Sequence, residues 1–232
     1  MNISVFGLGY VGCVSLGCLA QNGHEVIGVD IQNYKVDLIN QGKPTIIEKD
    51  IDHIIKEQYD RGRISATTNA NTAVQESDVS IIAVGTPSSS TGHLNLDYVY
   101  RTSRNIGEAL KNKDSFHVIA IRSTVMPGTN EQVANILEES SGKKNNRDFA
   151  VISNPEFLRE GSAVKDYYNP AVTVLRGESE KGLQIMEELY KDLPAPVKKV
   201  PVKVAEIIKY VNNSWHALKI SFANEVGNIC KQ

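Results

Sequence analysis

The chain has 232 residues, 41% of them hydrophobic, which is enough for one large domain or for a domain with part of a second. A formal net charge of -2 and a pI near 6.2 give no electrostatic footprint for nucleic acid, and the apolar runs are too short and interrupted to cross a membrane. Cys13, Cys18 and Cys230 have no metal-ligand spacing and are too few for a disulfide scaffold, so no metal site is expected and a reducing cytoplasm suits the chain.

The first thirty residues, MNISVFGLGYVGCVSLGCLAQNGHEVIGVD, read as a strand–helix–strand unit. Gly7, Gly9 and Gly12 stand in G-x-G-x-x-G spacing between an apolar strand ending at Phe6 and a helix, and a second strand, Val26 to Val29, ends in Asp30. Gly7 permits the tight turn, Gly9 admits a pyrophosphate to the backbone, and Gly12 lets the helix pack closely on the sheet. The helix start, with Tyr10 and Val11, offers free N–H groups and a favourable dipole to phosphates. Asp30 can accept from a ribose diol and would repel a 2′-phosphate, which favours NAD over NADP. The competing reading has these glycines serving only helix–sheet packing. Cys13 and Cys18 fall on the first helix as small buried side chains. The N-terminus begins directly with the strand and lacks the basic and apolar regions of a signal peptide.

Alternation continues downstream. Helices are expected over 33–41 and 50–60, a buried strand from Val79 to Val84, a helix from about Leu96 to Leu110, and strands at HVIAI and FAVIS. AVTVLRG and PAPVKKV are candidate strands, the second weakened by Pro194 and Pro196, with a helix at SEKGLQIMEELY between them. This pattern predicts an α/β, Rossmann-like fold: a mainly parallel sheet with flanking helices. From Val202 onward Val204, Ile207, Ile208, Val211, Trp215, Leu218, Phe222 and Val226 recur at helical spacing, predicting one long connecting helix still running at the end of the chain. The expected division is a cofactor domain over 1–200 and the truncated start of a helical domain over 201–232. Trp215 and Phe222 are expected in a core or in a contact between chains.

Three loops, GTPSSSTG, RSTVMPGT and NPEFLREG, follow strand ends, where ligands gather in open α/β sheets. Thr86, Ser123 and Thr124 can donate to cofactor or substrate oxygens, or simply cap turns. Ser88, Ser89 and Ser90 read as a flexible loop. Lys35 can reach the ribose region or remain solvated. Glu156 and Glu160 share a face if their segment is helical, and could position a hydroxyl or a water. Arg159 could instead pair with an acid and stabilise the loop. On the long helix, Lys209, Asn213 and His216 align at i, i+4 and i+7 with Asn224 two turns on. There an ammonium could stabilise developing oxyanion charge and an amide could orient a water or hydroxyl. For His216, hydrogen bonding at the surface or to a ligand is favoured over catalysis.

The ordered series FGLGYVG, AVGTPSSSTG, RSTVMPGT, NPEFLREG and AEIIKYVNNSWHALKISFANEVGN closely resembles the UDP-glucose/GDP-mannose dehydrogenase family over essentially the whole chain. The resemblance implies a two-step, four-electron oxidation of a nucleotide sugar at C6, GDP-mannose before UDP-glucose, using two NAD in turn, in the cytoplasm and in the service of polysaccharide biosynthesis. It implies that Tyr10, Val11, Asp30, Lys35, Thr86 and Thr124 contact NAD. Glu156, Lys209 and Asn213 would organise catalysis. Glu160, His216 and Asn224, with Lys209 and Asn213, would meet substrate. It further implies a homodimer built on the connecting helix. The family's nucleophilic cysteine, which forms a thiohemiacetal and then a thioester, belongs to a glycine-rich segment after that helix. Cys230 and Cys13 lack that context, so the chain is expected to be inactive alone.

Overall fold

The computed structural model describes residues 1–231. Six strands form one sheet in the order β3-β2-β1-β4-β5-β6: β1 (Asn2–Phe6), β2 (Glu25–Val29), β3 (Ile64–Thr67), β4 (Val79–Ile82), β5 (His117–Ile121) and β6 (Phe149–Ser153). Every neighbouring pair is parallel, with Ile3 opposite Val26 on one side and Val79 on the other. The reversal of strand order beside β1 opens a crevice at the carboxyl ends of β1 and β4. β4, β5 and β6 are buried at every residue, as strands covered on both faces must be.

One apolar layer packs the sheet against α1 (Tyr10–Gln21), α3 (Ile51–Asp60), α7 (Ala163–Tyr168) and α8 (Glu180–Leu189). The opposite layer joins it to α4 (Ala70–Gln75), α5 (Asp97–Leu110) and α6 (Thr129–Ser141). The short α2 (Asn33–Ile39) follows β2, and α9 (Val202–Ile229) ends the described elements. The doubly wound α/β fold and the long terminal helix agree with the expectation.

Several local features differ. β3, α4 and α7 lie outside the expected elements. β3 is four residues long with one buried, too short for a periodic signal, and α4 depends on the Asn69 side chain accepting from the Asn71 and Thr72 N–H groups. α2 stops at Ile39 rather than 41, and β4 stops at Ile82 rather than Val84. The expected strands at AVTVLRG and PAPVKKV shrink to the two-residue pair β7 (Thr173–Val174) and β8 (Val197–Lys198). Prolines 194 and 196 supply no N–H to a ladder, so only short pairing survives there. Reciprocal bonds between Ser153 and Arg176 tie this small unit to β6.

One core group sets an acid limit on the fold. His117 on β5 is fully buried, with Nε2 2.7 Å from Ser80 Oγ, and burial with nearby Lys113 pushes its pKa down to about 3. An unfolded histidine titrates near 6.5, so between those values the unfolded chain binds the extra proton and stability falls as pH falls. Urea midpoints measured from pH 7 to pH 4 should drop, with His117 contributing up to about 1.4 kcal/mol per pH unit below about 6, and His117→Gln should flatten that dependence.

Candidate functional site

The turn from β1 into α1 is set by two glycines. Gly7 has φ +95°, and a Cβ there would stand 2.8 Å from the Ala83 carbonyl oxygen. A Cβ on Gly12 would come within 1.7 Å of the Gly7 carbonyl oxygen, so only glycine allows the helix to sit against the turn. Gly9 instead faces open space. It caps α1 without a side-chain acceptor, and the first intrahelical bond runs from the Cys13 N–H to the Gly9 carbonyl. The Tyr10, Val11 and Gly12 N–H groups therefore point past Gly9 into that space, as a bound diphosphate requires.

Asp30 follows β2 and is almost fully buried. Its carboxylate accepts the Leu8 N–H at 2.8 Å and the Gln32 N–H at 3.0 Å, and the Lys35 ammonium lies 3.3 Å from Oδ2. The acid is thus fixed beside the glycine turn, and Lys35 is brought to it rather than left in solvent. Oδ1 accepts only one of these bonds and keeps capacity for a diol. The open backbone donors of the helix start and this acid fit NAD. Across the crevice, Thr86 and Thr124 are half-buried on the loops after β4 and β5. Ser123 is not available there: its hydroxyl donates back to the Val84 carbonyl at 2.7 Å, which makes it a turn cap. Ser88, Ser89 and Ser90 are exposed, as expected of a flexible loop.

The NPEFLREG segment is a loop, which corrects the shared-face expectation for Glu156 and Glu160. Glu156 bonds the N–H of Leu158 two residues on, a local turn that competes with a helix, and Gly161 at φ +83° ends the segment. Glu156 is buried whereas Glu160 is exposed. Arg159 pairs with Asp166, Nη2 to Oδ1 at 2.6 Å and Nε to Oδ2 at 3.0 Å, which stabilises the loop and holds the Asp166 carboxyl below its usual range.

Opposite this loop stands Lys209. Its ammonium is 2.9 Å from Glu156 Oε1, both side chains being more than nine-tenths buried, and lies 5.9 Å from the centre of the Phe157 ring. Two elements far apart in sequence, the loop after β6 and α9, are thereby joined. Asn213, His216 and Asn224 continue along α9 but are exposed. Trp215 and Phe222, at 58% and 69% exposure, are not in the core of this chain. Cys13 and Cys18 are buried, as expected, and burial raises both thiols, Cys18 to about 12, so neither is a ready thiolate. Among the described residues no cluster of His, Cys, Asp or Glu is placed to hold a metal ion, and no helix is long and apolar enough to cross a membrane.

Two carboxylates without a sequence signal of their own complete the frame. Glu206, buried on α9, accepts the Gly128 and Asn130 N–H groups at 2.8 and 2.7 Å and so caps α6, whose N-cap Gly128 has no side chain to do it. Glu48, buried between α2 and α3, accepts the Tyr10 hydroxyl and the Gly161 N–H. An uncapped glycine helix start at 128 is the only hint that an acceptor must come from elsewhere.

A parallel sheet in this order, a glycine turn with an open helix start, and an acid closing β2 define a dinucleotide-binding Rossmann domain. Family models place it further: residues 1–194 match the NAD binding domain of the UDP-glucose/GDP-mannose dehydrogenase family, and residues 203–232 match that family's central domain. The chain belongs to the UDP-glucose/GDP-mannose dehydrogenase family, and its cofactor is NAD. It is 51% identical to GDP-mannose 6-dehydrogenase of Pseudomonas aeruginosa, over all of this chain and 53% of that protein. UDP-glucose 6-dehydrogenase of Rhizobium meliloti is 38% identical, again over all of this chain and 53% of the relative. A crystal structure of a ternary complex of GDP-mannose dehydrogenase from Pseudomonas aeruginosa superposes with a TM-score of 0.97 at 50% identity, covering 100% of this chain and 53% of that one. The chain spans about half the length of the curated relatives it matches.

The buried ion pair gives a stability test. Lys209→Met leaves the Glu156 carboxylate buried without its cation and should destabilise the fold by about 3 kcal/mol. Lys209→Met combined with Glu156→Leu should recover most of that loss. Urea denaturation of the three proteins reads both differences.

Proposed function

We propose that this chain is the NAD-binding half of a nucleotide-sugar 6-dehydrogenase that oxidises GDP-mannose to GDP-mannuronate. The observation that carries the reading is the buried Lys209–Glu156 pair on the loop after β6, in a chain more similar to GDP-mannose than to UDP-glucose dehydrogenases. Residues 1–200 form the cofactor domain and 201–232 begin a helical dimerisation domain. NAD supplies the hydride acceptor.

This chain's residues then hold and orient. Asp30 takes the adenosine ribose diol with Lys35 beside it, the Tyr10 and Val11 N–H groups and the glycine turn take the diphosphate, and Thr86 and Thr124 line the remaining cofactor wall. Lys209 stabilises negative charge developing on the sugar oxygen at C6. Glu156 fixes that ammonium and, with Asn213, orients a hydroxyl or water. Glu160, His216 and Asn224 meet the nucleotide sugar. Trp215, Leu218 and Phe222 cover one another across a homodimer, since a lone helix would leave them solvated. The setting proposed is the cytoplasm, in polysaccharide biosynthesis.

By itself the chain is proposed to bind NAD without sustained turnover. Its two buried thiols are protonated, and Cys230 lies at the exposed end of α9. Calorimetry should find NAD bound more tightly than NADP, and Asp30→Ala should weaken NAD roughly ten-fold, the size of one charge-assisted hydrogen bond. A preference for NADP would overturn the role of Asp30.

The substrate is tested by joining this chain to the family's carboxyl-terminal half and following NADH formation. Oxidation of GDP-mannose well above that of UDP-glucose is expected, with none from the chain alone. Strong turnover confined to UDP-glucose would overturn the assignment.

A further inference from the structure

The connection between α2 and α3 touches both loops of the candidate site. From this connection Thr45 Oγ1 donates to the Leu8 carbonyl at 2.8 Å, inside the glycine turn. Glu48 Oε2 accepts the Tyr10 hydroxyl from the first turn of α1 and, at 2.7 Å, the N–H of Gly161. The Tyr10 oxygen also lies 3.2 Å from that N–H and 3.4 Å from the Arg159 carbonyl. The far side of the same loop hangs from Asp166, which takes the Arg159 N–H and guanidinium and the Ser162 hydroxyl. Residues 159–162 are therefore held between two carboxylates, with Glu160 in the middle.

The proton positions are defined. Burial opposes ionisation of Glu48, but the bonds donated by the Tyr10 hydroxyl and the Gly161 N–H outweigh it and hold the carboxyl below its usual range. Burial, and then the Glu48 carboxylate, push the Tyr10 phenol up. The pair is a neutral phenol donating to a carboxylate, a charge-assisted bond of the stronger kind.

We propose that Glu48 is a positioning residue: through Tyr10 and the Gly161 N–H it latches the loop carrying Glu156 and Glu160 to the helix start that binds the cofactor diphosphate, so that NAD binding orders the substrate loop. The proposal rests on the reading of these two loops as cofactor and substrate loops. Tyr10 is the residue through which the two communicate, its N–H facing the diphosphate while its side chain holds the latch. By linkage, a nucleotide sugar that orders the loop strengthens NAD binding in return.

Hydrogen exchange of the 159–162 amides, measured on this chain with and without NAD, tests the latch. In the wild-type chain NAD should slow exchange at Gly161. Glu48→Ala should speed it roughly ten-fold in the absence of NAD and abolish the response to NAD, at unchanged exchange in β1, β4 and β5. Glu48→Gln, which keeps an acceptor, should restore much of the protection. Tyr10→Phe combined with Glu48→Ala removes donor and acceptor together, which keeps the fold while the response stays lost. Calorimetry on the same samples separates the two readings. Failure of the wild-type chain to bind NAD overturns the cofactor reading and the coupling with it. NAD binding with wild-type protection at Gly161 in Glu48→Ala overturns the latch alone.

Discussion

The close approach of α1 to the β1 turn, possible only because Gly12 has no side chain, is the constraint on which the rest depends. A Cβ at Gly12 would overlap the Gly7 carbonyl, and the helix would have to rise off the sheet. Its N–H groups would leave the crevice, and Tyr10 would leave Glu48. The neighbouring turn obeys the same limit, since Gly7 passes close to the Ala83 carbonyl at the end of β4. The cofactor crevice is thus formed by backbone passing backbone, with side chains such as Asp30 added at its rim. Backbone N–H groups are suited to this task, because they bind phosphate without the entropy that long basic side chains lose on ordering.

The loop after β6 and the base of α9 are held differently, by carboxylates reaching across the fold. Glu206 caps α6 from α9, Glu156 meets Lys209 from the loop after β6, and Glu48 holds Gly161 from the loop before α3. Each of these acids is buried and takes at least one N–H, hydroxyl or ammonium from another element, although Glu48 Oε1 is left without a partner. Such contacts add little to net stability relative to apolar packing, but removing one partner is costly. They therefore specify geometry. Glu206 and Lys209 sit three residues apart on α9, almost one turn, so the cap on α6 and the ion pair with Glu156 fix the same stretch of helix.

This contrast explains what could be read from the residues in order. The glycine turn, Asp30, the parallel strands and the long helix depend on spacings of a few residues, so pattern and periodicity carry them. Lys209 was visible as part of a polar strip, although its partner was not. Glu48 meets Tyr10 38 residues away and Gly161 113 residues away, and Glu206 caps a helix 76 to 78 residues upstream. No local pattern encodes such distances. The shared face of Glu156 and Glu160, conditional on a helix at NPEFLREG, fails for a related reason: an i,i+4 pair of acids shares a face only where the backbone is helical, and this segment is a loop. Here the Glu156 side chain bonds its own loop instead, and Asn154 is held by Arg122 and Tyr190.

The course of α9 connects these features to the surface. The helix is buried only at Ala205, Glu206 and Lys209, and every residue from Tyr210 to Val226 is exposed. The 21 residues from Lys209 to Ile229 extend about 30 Å at the rise of an α-helix. At about 100° per residue, Asn213 and His216 fall on the side of Lys209, whereas Val211, Trp215, Leu218, Phe222 and Ile229 fall roughly opposite. The helix thus carries a polar strip with Lys209 on one face and a mainly apolar surface, interrupted by Glu225, on the other. The orientation of the Lys209 ammonium is set at the base of this helix, where the cap on α6 and the ion pair with Glu156 hold the same turn.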